Sequence, residues 1–240
     1  MTVPEKAMVL AAGLGLRMRP LTETMPKPLI SVGGKALIDW GLDALKQQGV
    51  GTAVVNVHHL ADMMLAHLAR RSEPRIVISD ERETLLDSGG GIVKALPYLG
   101  EKPFFILNAD TFWIDRSEGN LDRLARAWDP LHMDILILLA DPAFATGHTG
   151  RLDFTMEHEG RLKRAGAGET GFIYAGATIL HPRMLAGASA APHSLNLYFD
   201  RAIAAGRMFG LPLDGHWITV GTPDAIAPAE AVLRRLGVVS

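Results

Sequence analysis

The stretch KAMVLAAGLGLR, residues 6 to 17, decides the fold of this 240-residue chain. Its apolar run, residues 7–12, predicts a buried β-strand, and Gly13 and Gly15 directly afterwards predict a tight turn. Further along, the amphipathic segment 35–48 predicts a helix. A strand, a turn and a helix in this order begin a βαβ unit, so the sequence predicts an α/β protein.

The same alternation continues along the chain. Further strands are predicted at residues 52–57, 75–79, 104–108, 133–139 and 172–180, and further helices near residues 60–70, 121–128 and 195–205. Strands that are apolar throughout, such as residues 104–107, are typical of a parallel sheet covered on both faces. We therefore expect one doubly wound, Rossmann-like domain over residues 1–240, with a mostly parallel sheet.

Ligands of open α/β sheets bind beyond the carboxyl ends of the strands. The turns after Leu10, Asn108 and Ile179 are therefore the predicted places for chemistry. The glycine-rich stretch 147–171 predicts an irregular insertion or a small hairpin that covers the site.

Composition narrows the class of ligand. With 24 basic and 26 acidic residues the net charge is −2, which indicates a small molecule rather than a nucleic acid as partner. No apolar run approaches the roughly 20 residues of a membrane span, and the first residues lack the pattern of a signal peptide, so we expect a cytoplasmic protein without membrane contact. The absence of cysteine excludes disulfides and a cysteine nucleophile.

The turn after the first strand has the residues of an anion site. Gly13 and Gly15 allow backbone N–H groups to approach an anion, and the guanidinium of Arg17 suits phosphate oxygens. Lys27 follows between Pro26 and Pro28, whose fixed φ angles flank its ammonium group. A lysine held in this way can neutralise charge on a transferring phosphoryl group.

Three other interpretations compete for this segment. A dinucleotide-binding fingerprint needs a third small residue where Met18 stands, and a Walker loop needs a glycine and a hydroxyl where Leu29 and Ala36 stand. An ordinary βα turn with solvated arginines is the third alternative. That alternative must also explain the lysine between two prolines at residues 26–28.

The motif as a whole resembles a known family. The run Leu10-Ala-Ala-Gly-x-Gly-x-Arg-Met-x-Pro-Leu-Thr, followed by Pro26-Lys27-Pro28-Leu29, is similar to the amino-terminal signature of the nucleotidyl transferases that make nucleotide sugars. The resemblance implies a GT-A-like nucleotidyltransferase fold and the joining of a nucleoside triphosphate to a sugar 1-phosphate with release of pyrophosphate. It also implies nucleotide-binding residues Leu10, Ala11, Ala12, Gly13 and Gly15, and catalytic residues Arg17 and Lys27.

A second glycine cluster, Gly89-Gly90-Gly91, stands ahead of an apolar, helix-compatible stretch. It is either a flexible helix entry or, as the resemblance implies, a surface where Gly89 and Gly90 let the nucleobase pack on backbone. In the second case Lys94 faces the substrate phosphate.

One carboxylate follows the predicted strand 104–108. Asp110 is either a helix cap or, as the resemblance implies, the ligand of a Mg²⁺ cofactor. Many relatives carry a second metal-binding aspartate, and Thr219 occupies its place in this sequence. Asp214 and Asp224 are the acids that could turn inward instead.

Sugar recognition is expected from the carboxyl-terminal half and from the end of the strand before Asp110. The candidates are Asn108, Glu169, Gly176 and Asn196. Within the family the chain looks most like the uridylyltransferases of N-acetylmuramate 1-phosphate, which implies UTP as nucleotide, with the mannose-1-phosphate guanylyltransferases as alternative. A non-catalytic nucleotide-sugar sensor is the alternative of another class, motivated by Thr219.

Overall fold

A computed structural model describes residues 3–239, so the outermost positions of the predicted domain, residues 1, 2 and 240, lie outside the described range. The strands are β1 (Lys6–Leu10), β2 (Ser31–Val32), β3 (Lys35–Ala36), β4 (Thr52–Val57), β5 (Arg75–Asp80), β6 (Phe104–Asn108), β7 (Thr111–Asp115), β8 (Ile135–Ala140), β9 (Ala145–Thr146), β10 (Phe154–Met156), β11 (Leu162–Arg164), β12 (Ile173–Leu180), β13 (Met208–Pro212) and β14 (Gly215–Thr219). The α-helices are α1 (Leu37–Gln47), α2 (Ala61–Leu68), α3 (Asp87–Leu99), α4 (Asn120–Ala127), α5 (Asn196–Ala204) and α6 (Ile226–Arg235).

A seven-stranded sheet forms the centre, with the order β13-β8-β12-β6-β1-β4-β5. Its strands run parallel except β12, which is antiparallel to both β6 and β8. The predicted α/β class and the mostly parallel sheet are thereby confirmed.

Helices cover both faces of this sheet, because successive strand residues point to opposite sides. Ala7 and Val9 of β1 pack with α1, α2 and α4 in one core cluster. Met8, between them, packs with α3 and α5 in the other. The apolar character of the central strands follows from this double coverage, which is the arrangement of a doubly wound fold.

The reversed direction of β12 corrects one expectation. The turn after Ile179 was predicted to lie at the ligand-binding edge, but β12 ends where the parallel strands begin. His181, just past the end of β12, lines a cavity together with Lys6 and Pro103. Lys6 is the first residue of β1, and Pro103 directly precedes β6, so this cavity lies at the amino ends of the parallel strands. The first residues of β12, around Gly176, lie at the ligand-binding edge instead.

A second, three-stranded sheet of order β7-β14-β9 starts directly after Asp110. β14 runs antiparallel to β7, with Thr219 opposite Thr111. Phe112 of β7 and Ile218 of β14 pack against α6 in a third core cluster, so the carboxyl-terminal helix supports the segment that carries Asp110.

The glycine-rich stretch 147–171 contains the hairpin β10–β11, which confirms a small hairpin there. Arg164 at its end donates to Asp200 of α5 at 2.9 Å and lies with its guanidinium carbon 4.8 Å from the ring centroid of Phe154. The hairpin is thus fastened to α5. Among the residues that the structure describes, no helix combines the length and apolar character needed to cross a bilayer.

Candidate active site

A cavity of about 570 Å³ opens at the carboxyl ends of β1, β4 and β6. It brings together nine residues that the sequence marked as site residues: Leu10, Ala11, Ala12, Gly13, Gly15, Arg17, Lys27, Asn108 and Asp110. The same lining contains Leu16, Pro28, Asn56, Leu85, Asp87, Ser88, Ala109 and Gly221, which the sequence had not marked. The predicted glycine loop and the predicted acidic strand end therefore form one site.

The glycine turn has a conformation that requires glycine. Gly15 has φ +63°, and a Cβ placed there would lie 2.8 Å from Cγ2 of Thr22, whose hydroxyl donates to the Gly15 carbonyl at 2.9 Å. Arg17, one short turn later, is exposed, and its guanidinium atoms lie 3.6–3.7 Å from the place of a Cβ on Gly221. Arg17 therefore spans from the glycine turn to the loop after β14 and presents its charge to the cavity.

Lys27 and Asp110 form the charged centre of the cavity. The Lys27 Nζ lies 2.6 Å from Oδ2 of Asp110, with side-chain exposures of 11% and 36% respectively. The prolines on either side fix the lysine backbone, and Asp110 is fixed through its carbonyl, which accepts from Val220 N at 3.2 Å. A desolvated lysine paired with a more exposed aspartate is suited to binding a polyphosphate together with a cation.

A buried hydrogen-bond network joins two walls of the cavity. Ala11 N donates to Oδ1 of Asn56 at 2.7 Å, Asn56 Nδ2 donates to Oε1 of Glu81 at 2.8 Å, and Leu86 N donates to Oε2 at 3.1 Å. Glu81 is only 1% exposed. A Cβ on Gly91 would lie 2.7 Å from its Oε1, so glycine at 91 leaves the space for this carboxylate.

Sequence reasoning missed Asn56 and Glu81. One signal was available, because Asn56 is a polar residue in the otherwise apolar run 53–57 near a strand end. Nothing comparable pointed to Glu81, whose burial depends on the long-range packing of α3.

The second glycine cluster differs from its predicted place. Gly89, Gly90 and Gly91 lie inside α3 rather than ahead of it, and all three are buried. Gly89 N and Gly90 N donate to the carbonyl of His193 at 2.8 and 3.2 Å, and a Cβ on Gly90 would lie 2.2 Å from the Ala191 carbonyl oxygen. The glycines thus admit the 191–193 segment, while Leu85, Asp87 and Ser88 form the cavity wall.

Lys94 was expected to face the substrate phosphate under the same interpretation. Its exposed side chain donates to the carbonyl of Asp80 and does not line the cavity. Lys94 is thus separated from Arg17 and Lys27, which do line the cavity.

The predicted sugar residues separate into two groups. Asn108 lines the cavity, and Gly176, with φ +81°, lies against it, since a Cβ there would be 2.3 Å from Oγ1 of Thr111 and 3.2 Å from Cβ of Asn108. Glu169 lines a separate groove and accepts from Gly166 N at 2.8 Å. Asn196 is exposed on α5 and accepts from Arg164 at 2.8 Å. Of these four, the structure therefore brings Asn108 into the cavity lining and packs Gly176 behind it against Asn108 and Thr111.

Tyr174 lies beside the charged centre, on β12 before Gly176. Burial, with smaller contributions from the carboxylates of Asp153 and Asp110, raises the pKa of its hydroxyl, although the hydrogen bond with Thr178 at 2.8 Å opposes the shift. The hydroxyl is therefore neutral in the physiological range and acts as a packing and hydrogen-bonding group.

The residues that could hold a metal are few. Thr219 pairs with Thr111, the residue after Asp110, but its side chain is neutral. Asp214 lies at the other end of β14, where it accepts a hydrogen bond from Ser117 at 2.6 Å. Asp224 is exposed and does not line the cavity. Within residues 3–239 no group of three His, Cys, Asp or Glu side chains could hold a metal. One carboxylate is compatible with Mg²⁺, which is commonly held by one or two carboxylates together with substrate phosphates and water.

Comparisons with known proteins agree with this geometry. Residues 7–205 match the family described as MobA-like NTP transferase domain. The chain is 46% identical over 235 residues to N-acetylmuramate alpha-1-phosphate uridylyltransferase of Caulobacter vibrioides, covering 96% of this chain and 97% of that protein. It is 34% identical over 231 residues to the protein of that name from Neisseria meningitidis, with coverages of 95% and 97%.

A more distant relative is the mannose-1-phosphate guanyltransferase of Aspergillus fumigatus, at 31% identity over 91% of this chain and 61% of that protein. Among solved structures, the inositol-1-phosphate CTP transferase from T. maritima superposes with a TM-score of 0.78 over 100% of this chain and 99% of that chain, at 16% identity. At this low identity the superposition shows a common fold and nothing about the substrate. On its match over residues 7–205, the chain belongs to the MobA-like NTP transferase family and is a nucleotidyltransferase.

Proposed function

We propose that this nucleotidyltransferase joins UTP to N-acetylmuramate α-1-phosphate, forming UDP-N-acetylmuramate and pyrophosphate. The observation that carries the reaction type is the Lys27–Asp110 pair, 2.6 Å apart in a cavity that also contains the glycine turn and Arg17. The substrate pair is supported by two relatives of that name, which match this chain over nearly their whole length.

The triphosphate binds between the glycine turn and the loop after β14. Arg17 reaches from the first to the second, so its guanidinium contacts phosphate oxygens that enter between them. Gly13 and Gly15 leave the backbone without side chains on the phosphate side. These residues orient the α-phosphorus toward Lys27 and Asp110.

Asp110 would hold Mg²⁺ together with phosphate oxygens, and the metal would supply further neutralisation of phosphate charge when bound. Lys27 then donates to a phosphate oxygen from its fixed place between two prolines, so that charge developing on the α-phosphoryl group meets a preorganised ammonium. Thr219 adds no charge to this centre, so Asp110 is the protein's only carboxylate at the reacting phosphate in this proposal.

The transfer needs no covalent intermediate with the protein. An oxygen of the sugar phosphate, already an anionic nucleophile, attacks the α-phosphorus in line, and the bond between the α-phosphorus and the bridging oxygen breaks with its electron pair leaving on pyrophosphate. The residues of the cavity act by alignment and by charge neutralisation. Asn108 and Gly176, at the start of the neighbouring strand, place the sugar phosphate beside Asp110.

Glu169 and Asn196 contribute to sugar recognition only if the segment after the hairpin and α5 move toward the cavity, because both residues lie outside its lining. For Gly89 and Gly90 we propose an indirect contribution. By admitting the 191–193 segment they hold the Leu85–Ser88 wall against which the nucleoside packs.

A second candidate is a sensor that binds nucleotide sugars without turnover. The neutral Thr219 beside Asp110 favours it, because one carboxylate fewer weakens a magnesium site. The presence of Lys27 in the same centre favours the enzyme, since binding alone has no need of a charge-stabilising lysine at the reacting phosphate.

Release of pyrophosphate separates these candidates. Purified protein with magnesium is given each nucleoside triphosphate with N-acetylmuramate, mannose, glucose or N-acetylglucosamine 1-phosphate. We expect the highest kcat/KM with UTP and N-acetylmuramate 1-phosphate. A maximum with GTP and mannose 1-phosphate contradicts the proposed substrates in favour of the guanylyltransferase, and nucleotide binding without turnover in any pair contradicts the enzyme in favour of the sensor.

A further inference from the structure

Asp87 has a backbone conformation that side chains rarely adopt. Its φ is +58°, in the left-handed region, where residues other than glycine are uncommon. Among residues 3–239, only Leu60 and Glu159 are also non-glycine residues with positive φ, and neither of these lines the cavity. Residues in unfavourable backbone conformations cluster at binding and active sites, so the conformation of Asp87 indicates a function for its side chain.

The charge of Asp87 is unexpected in a cavity for a triphosphate. Its side chain is exposed and has no salt-bridge partner within residues 3–239, whereas the other carboxylate of the lining, Asp110, is paired with Lys27. An unpaired carboxylate repels a polyphosphate that binds nearby. It lowers affinity unless the same ligand gives it hydrogen bonds.

Asp87 lies where the nucleoside of a bound nucleotide would be expected. In the order β6-β1-β4-β5, Asp110 follows β6 and the Leu85–Ser88 wall follows β5, so the two lie on opposite sides of β1. With phosphates held by Arg17 and Lys27 near Asp110, the nucleoside extends toward Leu85–Ser88.

This wall is held rigidly. Leu86 N is bound to Glu81, the hydroxyl of Ser88 accepts from Leu195 N at 2.9 Å, and Gly89 N donates to His193 O at 2.8 Å. Bonds on both sides of Asp87 therefore fix where its carboxylate stands. Its Oδ1 accepts from Ser88 N at 2.5 Å, while its Oδ2 has no hydrogen-bond partner in the part of the chain that the structure describes.

We propose that Asp87 is a specificity-determining residue whose carboxylate accepts a hydrogen bond from the nucleoside, either from a ribose hydroxyl or from an N–H group of the base. The assignment rests on the proposed function, because it needs a nucleoside triphosphate in this cavity. A charge-assisted hydrogen bond of this kind changes affinity by about tenfold or more. Discrimination then follows from the loss of that bond in any nucleotide that lacks the donor.

The test compares Asp87→Asn with Glu159→Gln by calorimetric binding of UTP. Asparagine tolerates the left-handed conformation and caps a helix as well as aspartate does, so Asp87→Asn keeps the fold and removes the acceptor charge. Glu159→Gln removes one negative charge at a left-handed residue of the hairpin, outside the cavity. We expect Asp87→Asn to weaken UTP binding by about tenfold or more with an unchanged Tm, and Glu159→Gln to leave binding unchanged.

The alternative, a carboxylate that only caps α3, predicts the opposite sign. Removing a repulsive charge would then leave UTP binding equal or tighten it, and that result overturns the proposal. The donor is identified by 2′-deoxyuridine, 3′-deoxyuridine and 3-methyluridine triphosphates. The analogue that lacks the donor should bind the wild type more weakly than UTP does, and Asp87→Asn should weaken its binding no further. If all three analogues bind the wild type as tightly as UTP, the proposal is also overturned.

Binding and turnover are read separately in this design. Absence of pyrophosphate release by the wild type contradicts the proposed function even if UTP binding depends on Asp87. Pyrophosphate release with UTP, combined with binding that is unaffected by Asp87→Asn, contradicts the role of Asp87 and leaves the proposed function intact.

Discussion

The two ends of the site are built differently. At the nucleotide end, the glycine turn and the Leu85–Ser88 wall are joined by the buried Asn56–Glu81 network, and both line one cavity. At the proposed sugar end, Asn108 lines the cavity and Gly176 packs against it, while Glu169 lies in another groove and Asn196 on the surface of α5.

Under the proposed function, the nucleotide end would thus be preformed, whereas two of the residues expected at the sugar would stand outside the cavity. The Asn56–Glu81 network is buried and holds the first end in one geometry. The hairpin near the second end is also anchored, because Phe154 and Leu162 are buried in the core cluster of α3 and α5, but Glu169 and Asn196 lie outside the cavity.

The charged centre between the two ends should dominate turnover. Replacing Lys27 with alanine removes the ammonium that faces the reacting phosphate, and we expect kcat to fall by about 10²- to 10³-fold. Lys46→Ala, an exposed lysine at the end of α1, is the matched control. Thermal melts should show that both variants fold, and an unchanged kcat in Lys27→Ala would contradict the assignment of this centre.

The metal dependence of the centre should rest on Asp110. We expect Asp110→Asn to lose most of the magnesium-dependent activity, by about 10²-fold, because the other carboxylate among the described lining residues, Asp87, lies on the opposite side of β1. The matched control is Asp122→Asn on the exposed face of α4. Titration of activity against magnesium concentration checks this, and a wild-type magnesium profile in Asp110→Asn would place the metal elsewhere.

The preformed nucleotide end should be costly to disrupt. Glu81→Ala leaves Asn56 Nδ2 and Leu86 N without their buried acceptor, and we expect a loss of about 2 to 4 kcal/mol in the free energy of unfolding. Tm should then fall by roughly 5 to 15 °C, with a raised KM for UTP. Glu157→Ala, an exposed acid of the hairpin at the sugar end, should change neither quantity. Equal effects of the two substitutions would break the contrast between the ends.

The sugar end should respond least to single substitutions. Because Glu169 and Asn196 lie outside the cavity, we expect alanine at either position to change the KM for the sugar phosphate by less than about threefold. Steady-state kinetics at saturating UTP measure this. A larger rise in KM would show that the hairpin and α5 close on the sugar during turnover.

The contrast also explains how far sequence reasoning reached. The glycine turn and Asp110 directly follow apolar strands, so local spacing predicts the edge of the sheet at which they lie. Lys27 is distant from both strands along the chain, and its place in the predicted site came from its two flanking prolines and from the family resemblance. The direction of β12 depends on long-range pairing with β6 and β8, so the turn after Ile179 was expected at the wrong edge.

Burial of polar residues was the other limit. Glu81 reads as a surface acid in the charged run Asp80-Glu81-Arg82-Glu83, yet packing of α3 encloses it. Gly89 and Gly90 read as a helix entry that faces a ligand, but their missing side chains make room for residues 191–193. Glu81 is bound by Asn56, 25 residues earlier, and the glycines by residues about 100 positions later, so composition and periodicity carry no signal of these contacts.

Transfer of the uridylyl group from UTP to N-acetylmuramate α-1-phosphate can be followed by ³¹P NMR, in the presence of magnesium and the wild-type protein. We expect the three UTP resonances to be replaced at equal rates by those of a uridine diphosphate sugar and of pyrophosphate. Persistence of both substrates under conditions in which UTP is bound would contradict the central claim that the Lys27–Asp110 centre transfers a uridylyl group.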